Sequence, residues 1–166
     1  MRRMLLDNTE YLEQLKEVVE NSGLDWNRLD KKSVMVTGAA GMLGSGMVDL
    51  LIYLNEHTDL TINIYALGRT ESKLRQRFLP FIDKSYFHII TMDISTEMHM
   101  EEDVDYIIHA ASNADPAMMA KYPVDTLLAN VVGINNLLDL AKRKNVQRVL
   151  YVSSGEMYGQ PDDTLK

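Results

Sequence analysis

The sequence predicts an α/β protein in which a doubly wound parallel sheet lies between two layers of helices, a three-layer αβα arrangement. Two observations predict this fold class. From residue 33 onward, short segments rich in β-branched and apolar residues alternate with segments of helical periodicity. The short segments are apolar on both faces, which is typical of parallel strands buried between helices. Right-handed crossovers between such strands produce an open, doubly wound sheet.

A helical arm is predicted ahead of the main domain. The arm is assigned to residues 1–30 and the domain to residues 31–166. Within the arm, residues 8–21 carry apolar side chains at helical spacing. Trp26 and Leu29 are expected to pack the arm onto the domain, because both are large apolar residues close to the first strand.

Five strands and three helices are predicted within the domain. The strands are short apolar runs, and each helix has apolar residues three or four positions apart. The strands span residues 33–36, 61–67, 86–91, 104–109 and 149–152. The helices span residues 42–55, 71–78 and 125–144.

The composition excludes several classes of protein. The 166 residues include no cysteine, which excludes disulfides, thiolate metal sites and cysteine nucleophiles. The formal net charge of -7 disfavours a broad nucleic-acid-binding surface. No uncharged apolar run is long enough to span a bilayer. We therefore expect a cytoplasmic protein with no membrane segment, no nucleic-acid partner and no metal site.

A glycine-rich turn joins the first predicted strand of the domain to its first helix. Its three glycines follow the spacing Gly-x-x-Gly-x-x-Gly. A tight strand-to-helix turn requires glycine, and a diphosphate reaches the N–H groups of a helix N-terminus only where no Cβ intervenes. The turn therefore predicts a dinucleotide site. Its candidate residues are Gly38, Ala40, Gly41, Met42, Leu43 and Gly44.

The glycine spacing resembles that of the extended short-chain dehydrogenases/reductases, the NAD-dependent epimerases and dehydratases that modify nucleotide sugars. Further segments occur in the family's order and support the resemblance. They are Asp93-Ile94, His109-Ala110-Ala111-Ser112 and the run from Asn130 to Leu138. The resemblance covers residues 33–159 and implies a Rossmann-type domain.

The resemblance implies binding roles for residues near the ends of the third, fourth and fifth strands. Asp93 would bind the adenine amino group, and the small residues 110–112 would let ribose and diphosphate approach the backbone. His109 is interpreted as a structural residue, because a histidine at the end of a buried strand is usually a packed side chain. The remaining cofactor-binding candidates are Ile94, Asn130 and Ser153.

The end of the second strand leaves NAD and NADP both open as cofactors. A carboxylate at this place binds the ribose 2′-hydroxyl and repels a 2′-phosphate. Gly68 stands there instead, and Arg69 follows it. An arginine can pair with a 2′-phosphate or stack on adenine, although a purely solvated Arg69 is an equal alternative. These residues favour NADP, whereas the relatives with the closest catalytic motif mostly use NAD.

The segment after the fifth strand resembles the Ser-(Ser/Thr)-x-Glu-x-Tyr-Gly motif of nucleotide-sugar dehydratases and decarboxylases. The resemblance implies that Ser154 binds the 4-hydroxyl of the sugar and that Glu156 is a base at C5. The alternative is that both residues only shape a turn. Gly155 stands where glucose dehydratases have an aspartate, so simple 4,6-dehydration is disfavoured, and decarboxylation and epimerisation remain open.

The family's catalytic Tyr-x-x-x-Lys pair has no counterpart, since none of the eight tyrosines has a lysine four residues later. We therefore interpret the chain as the N-terminal part of a nucleotide-sugar epimerase, dehydratase or decarboxylase. Its C-terminal substrate domain is expected to be missing, and the chain alone is expected to have no turnover. The alternative is a non-catalytic dinucleotide-sensing or interaction module. The expected partners are a nucleotide-diphosphate sugar and, through an exposed apolar helix face, a second copy of the chain.

Overall fold

The computed structural model describes residue 6, residues 8–112 and residues 116–159, with only the backbone described at Pro116, Met118 and Glu156. The strands of this part of the chain form one parallel sheet. They are β1 (Ser33–Thr37), β2 (Asn63–Gly68), β3 (Phe87–Thr91), β4 (Tyr106–His109) and β5 (Arg148–Tyr151). Their order is β3-β2-β1-β4-β5. This is the order of a doubly wound, Rossmann-type sheet, so the predicted fold class is confirmed.

The predicted α-helices are all present, and the described residues form one further α-helix. The helices are α1 (Thr9–Asn21), α2 (Met42–His57), α3 (Glu71–Arg77), α4 (Pro116–Lys121) and α5 (Pro123–Arg143). The short helix α4 was not predicted, and α5 begins two residues earlier than expected. A proline is the first residue of both helices, where its missing N–H costs no hydrogen bond. Within the described ranges, none of the helices combines the length and the apolar character needed to cross a bilayer.

The sheet carries helices on both faces. Alternate side chains of a strand point to opposite faces. Val34 and Val36 of β1 therefore pack with α2 and α3 in one core, whereas Met35 packs with α5 in a second core. The three-layer arrangement predicted from the doubly apolar strands is thus confirmed.

The N-terminal arm packs against the first of these cores. Trp26 and Leu29 are partly buried there, as predicted. The indole N–H of Trp26 donates to the carbonyl oxygen of Val19 at 2.9 Å, which fixes the end of α1. The Tyr11 hydroxyl donates to Asp49 of α2 at 3.0 Å. The division into an arm and a domain at residue 30 stays a prediction.

Helix α5 has one buried face and one exposed apolar face. Leu137 and Leu140 are buried in the second core. On the opposite side, Leu127 and Val131 are 62% and 58% exposed, and Leu138 is 49% exposed. The expectation that this helix would leave apolar residues uncovered is therefore confirmed for the described part of the chain.

Candidate functional site

A cleft of about 570 Å³ opens at the carboxyl edge of the sheet, across the ends of β1, β2, β3 and β4. Ligands of open α/β sheets bind at this edge, at the point where the strand order reverses. Here that point lies between β1 and β4. The predicted cofactor residues that line the cleft are Gly38, Ala40, Gly41, Arg69, Asp93, Ile94, Ala110, Ala111 and Ser112.

The glycine turn packs so tightly that it excludes side chains at two positions. Gly38 has a φ of +66°, a conformation that favours glycine, and a Cβ there would lie 2.6 Å from the carbonyl oxygen of Ala110. A Cβ at Gly44 would overlap the carbonyl oxygen of Gly38. The turn is thereby closed against β4 on one side and against the start of α2 on the other.

The N-terminus of α2 faces this turn without a capping side chain. Gly41 occupies the N-cap, so no side chain accepts from the first N–H groups of the helix. Met42 and Leu43 are 88% and 54% exposed and do not line the cleft with their side chains. Their predicted contribution, like that of Gly44, therefore rests on backbone N–H groups, which bind anions well at a helix N-terminus.

A buried hydrogen-bonded pair joins the carboxyl ends of β1 and β4. Thr37 and His109 face each other in the sheet, and Thr37 Oγ1 lies 2.7 Å from His109 Nδ1. The N–H of Ala111 donates to the same hydroxyl oxygen at 3.3 Å. His109 is 1% exposed, and burial lowers its pKa because the charged imidazole loses hydration. This placement supports the interpretation of His109 as structural.

The lowered pKa of His109 predicts a loss of stability in mild acid. Below about pH 6.5 the unfolded chain binds a proton at His109 that the folded protein does not, so the free energy of unfolding falls as the pH falls. We expect His109→Gln to lose less stability than the wild type between about pH 7.5 and 5.5. Urea denaturation at several pH values measures this. Equal pH dependence in the two proteins would contradict the prediction.

Asp93 supplies an ionised carboxylate to the lining of the cleft. The backbone N–H of Ser95 donates to its Oδ1 at 2.9 Å, and the Ser95 hydroxyl donates at 2.7 Å. The hydrogen bond from the Ser95 backbone, with the Ser95 hydroxyl and the charge of Arg69, holds the pKa of Asp93 below its ordinary value despite partial burial. The carboxylate is therefore placed to accept a hydrogen bond from a ligand.

Helix α5 is tied to the loops on either side of the cleft. Ser112 donates from its hydroxyl to Asn130 Oδ1 at 2.9 Å, and the amide of Asn136 donates to the Ile94 carbonyl at 2.9 Å. A Cβ at Gly133 would lie 2.8 Å from Ile94 Cδ1, so α5 approaches the loop after β3 closely. Asn130 does not itself line the cleft, and its contacts are those of a tether.

Neither Ser153, a predicted cofactor-binding residue, nor Ser154, a predicted catalytic residue, lines the cleft. Ser153 and Ser154 follow β5, next to β4, and both are exposed. Ser153 Oγ lies 3.6 Å from the sulfur of Met157, and the Ser154 carbonyl accepts from the Met157 N–H at 3.4 Å in the 3-10 turn Gly155–Tyr158. The Glu156 side chain lies outside the described residues. The roles of Ser153, Ser154 and Glu156 stay predictions.

Lys73 and Thr70 also line the cleft, although the sequence did not point to them. Both follow β2, Thr70 at the N-cap of α3 and Lys73 in its first turn. Their spacing is the sequence signal that could have identified them, because residues three apart on a helix lie on one side of it. Leu128 and Ala129 of α5 line the other side of the cleft.

Comparisons with known proteins identify relatives of the chain. The sequence profile of the NAD dependent epimerase/dehydratase family matches residues 34–166. UDP-glucuronic acid decarboxylase 1 of Danio rerio is 33% identical over 133 residues, which are 80% of this chain and 30% of that protein. UDP-glucuronic acid decarboxylase 2 of Arabidopsis thaliana is 37% identical over 128 residues, covering 77% and 27% of the two chains. The chain thus spans less than a third of these relatives.

The similarity extends to solved structures. The structure of a dTDP-glucose 4,6-dehydratase from Streptomyces venezuelae with NAD bound matches at a TM-score of 0.67 and 25% identity. The match covers 79% of this chain and 42% of that one. A UDP-N-acetylglucosamine 4-epimerase from Methanobrevibacter ruminantium matches at a TM-score of 0.63 and 27% identity, over 81% and 42% of the two chains.

Proposed function

Because the chain belongs to the NAD-dependent epimerase/dehydratase family, we propose that the complete protein transiently oxidises a nucleotide-linked sugar with a bound nicotinamide dinucleotide. The observation that carries the proposal is the glycine turn at the head of the cleft. Gly38 and Gly44 leave no space for a Cβ, and the uncapped first turn of α2 is close by. This arrangement leaves backbone N–H groups at a helix N-terminus open to a diphosphate.

The residues of the cleft fit a dinucleotide from end to end. Backbone N–H groups of Met42 and Leu43 would hold the diphosphate, and Asp93 would accept from the adenine amino group. The backbone at residues 110–112 would border the ribose on the nicotinamide side. When bound, the nicotinamide supplies the chemistry of a hydride acceptor for C4 of the sugar.

The relatives support decarboxylation as the overall reaction, since the curated ones named above are UDP-glucuronic acid decarboxylases. Loss of a hydride from C4 and of the proton from the 4-hydroxyl leaves a ketone β to the sugar carboxylate. The C5–carboxylate bond can then break with release of carbon dioxide, and its electron pair is taken up by the ketone to give an enolate. A proton added at C5 regenerates the ketone, and return of the hydride to C4 with a proton to its oxygen restores the alcohol. Ser154 would hold the 4-hydroxyl during these steps, and Glu156 would act at C5.

A homo-oligomer is the state that we propose for the complete protein. Leu127, Val131 and Leu138 are four and seven residues apart on α5, so they form one exposed apolar strip and are not isolated surface residues. Contiguous apolar patches of this kind mark protein contacts. Light scattering at several concentrations tests this, and a strictly monomeric complete protein would contradict it.

The proposed function predicts that Ser154→Ala in the complete protein lowers turnover by about 100-fold or more, because a group that acts on the reacting hydroxyl contributes at least that much. Dinucleotide affinity should not change, since Ser154 does not line the cleft. Ser154→Thr keeps the hydroxyl and is the matched control, with activity retained. The assay follows carbon dioxide release from UDP-glucuronic acid within a panel of nucleotide sugars.

Two results would refute the proposed function. Absence of dinucleotide binding would remove its basis. Dinucleotide binding without turnover of any sugar in the panel would instead favour a sensing or interaction module.

A further inference from the structure

We infer that the cleft takes the 2′-phosphorylated dinucleotide, NADP(H), and that Lys73 together with Arg69 binds its 2′-phosphate. The inference rests on the proposed function, because it specifies which dinucleotide the same cleft holds. It departs from the NAD implied by the family's description.

The end of β2 lacks the carboxylate that selects the unphosphorylated ribose. Gly68 is the last residue of β2, lines the cleft and has no side chain. The nearest acid along the chain, Glu71, does not line the cleft and accepts a 2.6 Å hydrogen bond from Arg75 on the same helix. The end of β2 and the first turn of α3 thus contribute no acid to the lining of the cleft, where a carboxylate would repel a 2′-phosphate.

Two cations and a hydroxyl border the cleft at this place. Arg69 directly follows β2, and Lys73 lies three residues after Thr70, on the same side of α3. The planar guanidinium of arginine and the ammonium group of lysine are the charged side-chain groups that bind phosphate in proteins. The hydroxyl of Thr70 adds a neutral donor beside them.

Lys73 contributes the positive charge that no acid compensates. The charge of Arg69 reaches Asp93, so Arg69 is shared between that carboxylate and any ligand. Lys73 forms no ion pair within 4.0 Å in the part of the chain that the structure describes. The other acid at the cleft, Asp125, belongs to α5 on the opposite face of the sheet from α3. A doubly charged phosphate thus meets two cations and one carboxylate.

Equilibrium binding to the intact protein tests the inference, with NADP⁺ and NAD⁺ as the ligands. We expect NADP⁺ to bind at least about 10-fold more tightly, the size of one charge-assisted hydrogen bond. Lys73→Gln should weaken NADP⁺ binding by about 10-fold and leave NAD⁺ within about 2-fold. Lys84→Gln, which also removes one positive charge but lies outside the cleft, is the control and should change neither affinity.

A second variant restores the missing carboxylate. A Cβ at Gly68 would lie 3.4 Å from Leu74 Cδ1, an ordinary contact, so Gly68→Asp should fold. It should reverse the preference to NAD⁺, whereas the isosteric Gly68→Asn should not, because only the aspartate is charged. Thermal unfolding of both variants checks that the fold is kept.

The possible failures are distinguishable. Equal or tighter binding of NAD⁺ to the wild type, or an equal loss of both affinities in Lys73→Gln, would overturn the inference and leave the proposed function standing. Binding of neither dinucleotide would overturn both.

Discussion

Gly44→Ala is expected to lower the free energy of unfolding by about 3 kcal/mol and to abolish dinucleotide binding. The added methyl group would overlap the carbonyl oxygen of Gly38, a backbone atom that cannot rotate away. This overlap is relieved only if α2 moves away from the turn, because the turn itself packs against the backbone of Ala110 on its other side. The same movement would displace the N–H groups that we assign to the diphosphate.

Gly46→Ala is the matched control for this substitution. Gly46 lies two residues further along α2, and a Cβ there would meet nothing within 4 Å. Replacing a helical glycine with alanine in open space should stabilise the protein by up to about 1 kcal/mol. Urea denaturation of both variants gives the two values. A Gly44→Ala protein as stable as the wild type would show that the turn is looser than its geometry indicates.

Arg77→Leu is expected to cost about 3–5 kcal/mol at neutral pH, because it leaves a buried carboxylate without its charged partner. Asp49 on α2 is fully buried, and its Oδ2 accepts from Arg77 and from the Tyr11 hydroxyl. Oδ1 has no hydrogen-bond partner among the described residues. The cluster joins α1, α2 and α3, so the loss should also loosen the N-terminal arm.

The pH dependence of this loss identifies its cause. Burial raises the pKa of Asp49 above its ordinary 3.8, and the charge of Arg77 opposes that rise. The folded state therefore keeps the Asp49 proton at pH values where the unfolded chain has released it, and stability falls as the pH rises through that range. Without Arg77 the pKa of Asp49 rises further. The cost of Arg77→Leu should thus be smaller at pH 5 than at pH 8.

Arg75→Leu is the control for the Arg77 substitution. Arg75 lies on the same helix, is half-exposed and pairs with Glu71 one turn away. Exposed pairs of this kind contribute at most about 0.5 kcal/mol. Equal losses in the two variants, or a loss in Arg77→Leu that does not change with pH, would contradict a buried ion pair as the cause.

The parts of the fold and of the site that could be predicted follow from local sequence patterns. Strand β1 is a short apolar run followed by a glycine turn, and both the sheet position and the turn follow from those few residues. Helix ends were harder to predict, because hydrophobic periodicity alone misses a short helix such as α4. The prolines at residues 116 and 123 indicate where α4 and α5 begin.

Contacts between residues that are far apart in the sequence could not be predicted from it. The partners of Asp49 lie 38 and 28 residues away, at Tyr11 and Arg77, and nothing in the pattern of α2 distinguishes a buried aspartate from a solvated one. Lys73 reaches the cleft only because α3 is rotated in one particular way against the sheet. Such placements depend on how the helices pack, which a single sequence does not specify.

The central claim is that the cleft at the Gly38–Gly44 turn holds a dinucleotide. A crystal structure of the intact protein, from crystals grown with NADP⁺, tests this claim. We expect the diphosphate about 3 Å from the N–H groups of Met42 and Leu43, and the adenosine between Arg69 and Asp93. A dinucleotide bound elsewhere on the protein, with this turn free of it, would contradict the account.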